Sequence, residues 1–278
     1  MKLDAQSSLL VLTGAGVSAE SGLPTFRDAQ GLWETHPVEE VASPEGFRHD
    51  PALVWRFYSQ RRAAASSCVP NAGHAALVEI EQRLGDRFLL VTQNVDGLHL
   101  KAGSQRVIEL HGNLFTSRCS GCDRDPFEDP RLYFEALPQC ERCLEAGQKA
   151  LVRPHIVWFG ESLEPAHFQQ IDAFIKKIEA RRWVFLAVGT SGVVYPASGL
   201  VNLAARHGAE TWLVNADPAD NGSRFDHFVQ GKSAQVLPAM AANVVGKAST
   251  PVVRGPGFGR SSSGSNGRTE VEVRKKLK

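Results

Sequence analysis

Two cysteine pairs, Cys119-x-x-Cys122 and Cys140-x-x-Cys143, concentrate the most reactive side chains of this sequence. Each pair forms a tight knuckle presenting two thiolates, and two knuckles close a tetrahedral shell that leaves no position for water. The spacing therefore reads as one structural Zn2+ rather than a catalytic one, with a redox dithiol as the competing reading. A second feature, Gly14-Ala15-Gly16-Val17-Ser18-Ala19, follows an apolar run. It fits the G-x-G-x-x-G/A form, in which missing side chains let a phosphate approach the backbone. A plain strand-to-helix turn has the same composition, and Glu34, at the distance where a dinucleotide fingerprint carries its acid, has no strand beneath it. Thr92-Gln93-Asn94-Val95-Asp96 places amide and carboxylate groups after another apolar run, where Asn94 and Asp96 either serve one polar ligand or cap a helix. His111 follows Val107-Ile108-Glu109-Leu110 at the border of the cysteine segment and is a candidate general base at the mouth of a cleft. Gly189-Thr190-Ser191 suits contact with a ribose or phosphate, or an ordinary turn.

These groups need a frame. Apolar runs at 8–13, 88–92, 183–188 and 210–215 each end in Gly, Asn, Thr or Ser, and helical patterns occupy 51–65, 74–84, 165–179 and 197–207. That order predicts an α/β fold, a Rossmann-like parallel sheet whose working edge lies at the strand carboxyl ends. Residues 112–153 break the rhythm, being rich in Cys, Pro and charge. Such a segment buries little and needs a metal to hold it, which predicts a smaller zinc-binding domain. The 278 residues suffice for a large and a small domain sharing a cleft, and 42% hydrophobic with 22% charged residues is an ordinary globular balance. No apolar run approaches a membrane span, and Met1-Lys2-Leu3-Asp4 lacks the basic-then-apolar order of a signal peptide, so a cytoplasmic location is expected. Cys68 is left over as a small, half-buried apolar residue. The formal charge of +1 conceals a tail, residues 250–278, with seven Lys or Arg against two Glu. The remainder is acidic, which excludes a strongly basic nucleic-acid-binding domain, while the tail itself could attract acidic partners.

Taken in order, Gly14 to Gly22, Thr25-Phe26-Arg27, Gln93 to Asp96, His111-Gly112-Asn113, the cysteine pairs, His155 to Glu161 and Gly189 to Ser191 resemble a sirtuin over about residues 8–238. The resemblance implies NAD as a consumed substrate and removal of acyl groups from protein lysine side chains, in a cleft between the Rossmann-like domain and the zinc domain. It implies that Gly14, Ala15, Gly16, Ala19 and Glu20 line the diphosphate and that Phe26 and Arg27 belong to a loop over the reacting ribose. Gln93, Asn94, Val95 and Asp96 would hold ribose and nicotinamide, with His111, Asn94 and Asp96 the catalytic residues. Gly189, Thr190, Ser191, Asn215 and Ser233 would contact the adenosine half. Val157, Phe159, Gly160 and Glu161 would pair with the substrate peptide as a strand.

One branch of the family carries a tyrosine and an arginine at i and i+3, here Tyr58 and Arg61, with a small residue, here Ala29, that widens the acyl pocket. A phenol and a guanidinium on one helix face can grip a carboxylate together, so the chain resembles the desuccinylase and demalonylase type; a solvated helix face is the plainer reading. Asp28, Gln30 and Ser233 depart from the commoner residues of the family pattern. The expected boundaries are 1–34, 86–111 and 181–247 for the NAD-binding domain, 35–85 for a helical part of the small domain, 112–160 for the zinc module and 248–278 for a disordered basic tail. Rival readings are a mono-ADP-ribosyltransferase and a non-catalytic NAD- or acyl-lysine-binding module. A hydride-transfer dehydrogenase has no use for the cysteine module beside a Phe26-Arg27 loop.

Overall fold

In a computed structural model the described residues are 1–4, 6–24, 32–33, 36–178, 182–190, 197–218 and 224–245. The expected apolar runs are strands at the expected bounds. In chain order the main strands are β1 (Ser8–Thr13), β2 (Phe88–Thr92), β3 (Val107–Glu109), β4 (Gly112–Cys119), β5 (Phe127–Glu128), β6 (Val152–Ile156), β7 (Trp183–Val188), β8 (Glu210–Asn215) and β9 (His227–Gln230). Six of them form one parallel sheet in the order β9-β8-β7-β1-β2-β3. The chain builds outward from β1 to β3, then returns to the other side of β1 with β7. The switch point therefore lies between β1 and β7, where an open α/β sheet offers a crevice beyond its strand ends.

The runs are continuously apolar because both sheet faces are covered. Leu9, Val11, Leu90, Val184 and Leu186 face one way, against Ala76, Leu77 and Ile80 of helix Ala72–Leu84 and Leu237 and Met240 of helix Ser233–Ala242. Leu10, Leu12, Val91 and Phe185 face the other, against Ile171 and Ile175 of helix Pro165–Lys176 and Leu200 and Val201 of helix Leu200–Arg206. Residues 72–84 thus belong to the large sheet rather than to the small domain expected for 35–85, because their apolar stripe is buried on β1 and β2. Helix Pro51–Ser67 does pack with the cysteine module: Val54, Trp55 and Tyr58 share a core with Leu114, Cys140, Val152 and Trp158.

That module is a three-stranded antiparallel sheet, β5-β4-β6. Its anchor is Arg62, fully buried, which donates to the carbonyls of Leu114, Thr116 and Arg131 and to Ser117 Oγ, 3.6 Å from an equally buried Asp129. A buried charge of this kind persists only when its donors are satisfied, and here five acceptors surround it. Residues 1–248 form one compact unit, whereas the basic tail lies outside the described residues. Among the described residues no helix is long and apolar enough to cross a membrane.

At the switch point, backbone meets backbone. Gly189 has φ +60, and a Cβ there would lie 2.5 Å from Val17 N and 2.7 Å from the Gly16 carbonyl carbon. Gly189→Ala should therefore destabilise the fold by about 2–4 kcal/mol, combining left-handed strain with overpacking. Urea denaturation checks this, and an unchanged midpoint would contradict the packing.

Candidate active site and zinc centre

The ends of β1, β2 and β7 converge on one set of hydrogen bonds. Gly14 N donates to Val188 O (3.0 Å) and Gly16 N to Gly189 O (2.8 Å), so the glycine loop is stitched to the end of β7. The Cβ space of Gly14 and Gly16 is filled by Gly189 and Thr190, so close backbone packing by itself requires glycine at both positions. Ala15 and Ala19 lie on the more open side of the short helix Gly16–Ala19. Asn94 is buried; its Nδ2 donates to Gly14 O and to Ser18 Oγ, both at 3.1 Å, which leaves Oδ1 as its remaining polar atom. Gln93 Nε2 donates to Thr190 Oγ1 (3.1 Å), and Asn215 Nδ2 to Thr190 O (3.3 Å). Val95 is half-buried and accepts from Leu114 N through its carbonyl (2.8 Å), tying this loop to β4.

Asp96 is tied into the loop at two points. Its Oδ1 accepts from Leu98 N (2.8 Å) at the start of helix Leu98–Ala102, and its carboxylate also bonds Ser18. Burial nevertheless raises its pKa above the ordinary value. Glu109, which the sequence reading left unused, is pushed up to about 7 by burial and then by the Asp96 charge, although Asn113 Nδ2 donates to it at 2.7 Å. Its only signal in the sequence was an acid two positions before His111 within an apolar strand.

His111 sits where the sheet hands over to the zinc module. Its Nδ1 lies 3.0 Å from Gln93 O, and a carbonyl only accepts, so Nδ1 carries the hydrogen and Nε2 the lone pair. Burial lowers its pKa below the ordinary 6.5 against the opposing hydrogen bond to Gln93, so the ring is neutral at pH 7. The next residue must be Gly112 (φ +84), because a Cβ there would meet His155 O at 2.0 Å.

Tyr58 and Arg61 come together on helix Pro51–Ser67. Tyr58 is fully buried, and its oxygen accepts from Trp158 Nε1 at 2.9 Å. Burial raises the phenol pKa far above its usual range, so it stays protonated. The Arg61 guanidinium stacks 5.5 Å from the Phe57 ring, and its charge is felt at both Tyr58 and Asp96. Arg61 is thus within electrostatic reach of Asp96, while Tyr58 is packed into the core of the small module. Arg62, the residue after Arg61, is buried in the small module as well.

After β6 the chain turns at Phe159 and Gly160: Val157 N donates to His111 O, Phe159 N to Ala42 O and Glu161 N to Trp158 O. Phe159 is exposed, and Gly160 turns the chain at φ +85. The Glu161 carboxylate is held by Arg153 at 2.7 and 2.9 Å and by Arg118 at 3.3 Å. Glu20 accepts from Ser233 Oγ (3.1 Å) and Ala234 N (2.8 Å), which ties it to the first turn of helix Ser233–Ala242. Phe26, Arg27, Ala29 and Ser191 lie outside the described residues.

The four cysteine sulfurs lie within 4.8 Å of one another, with Cys119–Cys143 at 3.7 Å and Cys122–Cys140 at 3.8 Å. Disulfides are far shorter, whereas sulfurs at about 2.3 Å from a shared tetrahedral zinc stand roughly 3.8 Å apart. The donor set fits one structural Zn2+.

Comparison with known proteins agrees with this geometry. Residues 14–196 match the Sir2 family. A deacylase of Pasteurella multocida strain Pm70, named an NAD-dependent protein deacylase, is 45% identical over 237 residues, 84% of this chain and 96% of its own. One of the same name from Escherichia coli strain K12 is 46% identical over 234 residues, 83% of this chain and 79% of its own. Among solved structures, a Sir2 homologue in complex with NAD superposes with a TM-score of 0.76 at 38% identity, over 86% of this chain and 90% of that one. A Sir2 protein bound to acetylated peptide gives 0.70 at 26% identity, over 84% and 92%. This chain belongs to the Sir2 family.

Elemental analysis should find one zinc per chain. Cys140→Ser should lose it and unfold β4 to β6, read as collapse of amide protection there, and intact protection in a zinc-free protein would contradict a structural role.

Proposed function

We propose that this Sir2-family chain removes acidic acyl groups, succinyl and malonyl as well as acetyl, from protein lysine side chains. The underlying activity is that of an NAD-dependent protein deacylase, with NAD consumed. One observation carries the acyl preference: a fully buried phenol and a guanidinium share one helix face beside Asp96. A solvated helix face does not bury its tyrosine under a tryptophan hydrogen bond. An anionic acyl end, by contrast, is well matched by a phenol O–H and an arginine fork.

NAD supplies a carbon whose bond to nicotinamide breaks once an acyl oxygen is held beneath it. The chain's part is orientation and charge. Asn94, its amide hydrogens fixed by Gly14 and Ser18, presents Oδ1 to the ribose and nicotinamide side. Asp96 adds negative character near a centre that becomes cationic. His111, neutral and with Nε2 as its basic atom, takes a proton from a ribose hydroxyl. With one water, the products are lysine, nicotinamide and O-acyl-ADP-ribose. The exposed Phe159 and the carbonyls of its turn are suited to a peptide laid alongside.

A transferase that attaches ADP-ribose to a protein nucleophile would leave the Tyr58 and Arg61 pair without a task. Arg61→Met should lower kcat/KM for succinyl-lysine peptide by about 30-fold or more, the cost of roughly 2 kcal/mol of charge-assisted binding, while acetyl-lysine turnover holds within about threefold. Equal effects on both acyl groups would contradict the clamp. The pH profile of kcat/KM gives a second check. His111 must be unprotonated to act, so activity rises with pH through its pKa, and burial places that acid limb below 6.5. A limb centred above 6.5 would mean the imidazole is not in the environment described.

A further inference from the structure

The turn that follows β6 is closed by one residue acting twice. Glu161 N donates to Trp158 O (3.0 Å), and Glu161 Oε2 accepts from Trp158 N (2.9 Å), so backbone and side chain together bracket residues 158–161. Arg153, itself buried, holds that carboxylate at both oxygens: Nη1 donates to Oε1 (2.7 Å) and Nη2 to Oε2 (2.9 Å). A planar fork meeting both oxygens fixes the carboxylate in direction as well as distance. The same guanidinium donates to Ile156 O (2.9 Å) and lies 3.3 Å from the centre of the Trp158 ring. That ring is held in turn by its Nε1, which donates to the Tyr58 oxygen at 2.9 Å.

Both charges persist at neutral pH. Burial acts to raise the Glu161 pKa, but hydrogen bonds from Arg153 and from Trp158 N hold it below the ordinary value. A buried ion pair adds little net stability, because desolvation offsets the attraction, so what it supplies here is fixed geometry. The groups it leaves open are on the main chain. Val157 O and Gly160 N have no hydrogen-bond partner among the described residues, and the Phe159 side chain is exposed. Unpaired main-chain groups of this kind are what an added peptide strand pairs with.

We propose that Arg153, acting through the Glu161 carboxylate, is a positioning residue for the main chain of the substrate peptide. By fixing Glu161 it holds Trp158 N and the closing bond of the turn, and with them the spacing of Val157 O and Gly160 N. Without it the carboxylate keeps only Trp158 N and the longer contact to Arg118, and the turn samples other conformations. A peptide must then order the turn as it binds, which weakens binding. The effect falls on the residues flanking the acyl-lysine and not on the acyl-lysine itself. The inference rests on the reading above that a peptide lies along this turn.

The test is nicotinamide release at saturating NAD with two substrates, an acetyl-lysine peptide and a blocked acetyl-lysine without flanking residues. The wild-type enzyme should use the peptide with a kcat/KM at least about tenfold higher. Arg153→Met should raise the peptide KM about tenfold, while the peptide kcat and the kcat/KM for blocked acetyl-lysine stay within about threefold. Adding Glu161→Gln removes the charge left unpaired, so it should restore thermal stability lost in Arg153→Met without restoring the peptide KM. A peptide KM that recovers together with stability would make the pair merely structural and overturn the proposal. Equal losses on both substrates, or an unchanged peptide KM in Arg153→Met, would overturn it too. If Arg153→Met does not fold, Arg153→Lys, which keeps the charge and loses the fork, carries the test: a raised KM for the peptide alone supports the proposal, and wild-type values overturn it. Equal kcat/KM for the two substrates in the wild-type enzyme would instead remove the peptide reading, and the inference with it.

Discussion

The structure depends on one close approach, the contact of Gly16 with Gly189 where β1 and β7 end side by side. Because no side chain intervenes, the backbone of the first loop is hydrogen-bonded directly to the end of β7, and the loop after β2 is drawn in alongside. Gln93 N donates to Thr13 O (2.9 Å), and Asn94 reaches across to Gly14 O. Three loops from three strands are thus held at fixed spacing before any ligand arrives, so the polar groups of the cleft need little reorganisation to act.

The second wall of the cleft is made differently. Residues from β4 to β6 share a small core with helix Pro51–Ser67 and have little apolar surface of their own. Two devices compensate: the four clustered thiols at one end, and the buried Arg62 with its carbonyl acceptors and Asp129 at the other. Asp129 shows the balance of terms. Burial alone would raise its carboxyl pKa, yet hydrogen bonds from Arg131 and Ser117, with the Arg62 charge, hold it below the ordinary value. The same helix that carries Arg62 inward carries Tyr58, whose oxygen accepts from Trp158 Nε1, so it braces the module at two points.

Much of this was legible in the sequence where chemistry and burial leave the same mark. Strands β1, β2, β7 and β8 were visible because a strand covered on both faces is apolar throughout. The zinc set was visible because a knuckle has only a few workable spacings. Strand β9, His227–Gln230, was not, since an edge strand with exposed His227 and Phe228 carries no apolar run. Helix Ser233–Ala242 was hidden by Pro238 inside it. Helix Ala72–Leu84 could be read as amphipathic, but periodicity does not say which surface receives the apolar stripe. The spacing of Gly14 and Gly16 does not show that Gly189 packs against both. Arg62 and Glu109 carry no mark in the sequence for a common reason: a polar residue there looks solvated, and only the fold shows that these two are packed against matched partners.

In the reaction proposed above, the acyl group leaves lysine for the ribose of NAD in this cleft. Its most direct test is mass spectrometry of the products formed from NAD and a succinyl-lysine peptide. The account predicts free lysine peptide, nicotinamide and O-succinyl-ADP-ribose in equal amounts. ADP-ribose attached to protein with the succinyl group retained, or NAD left intact beside a bound peptide, would contradict it.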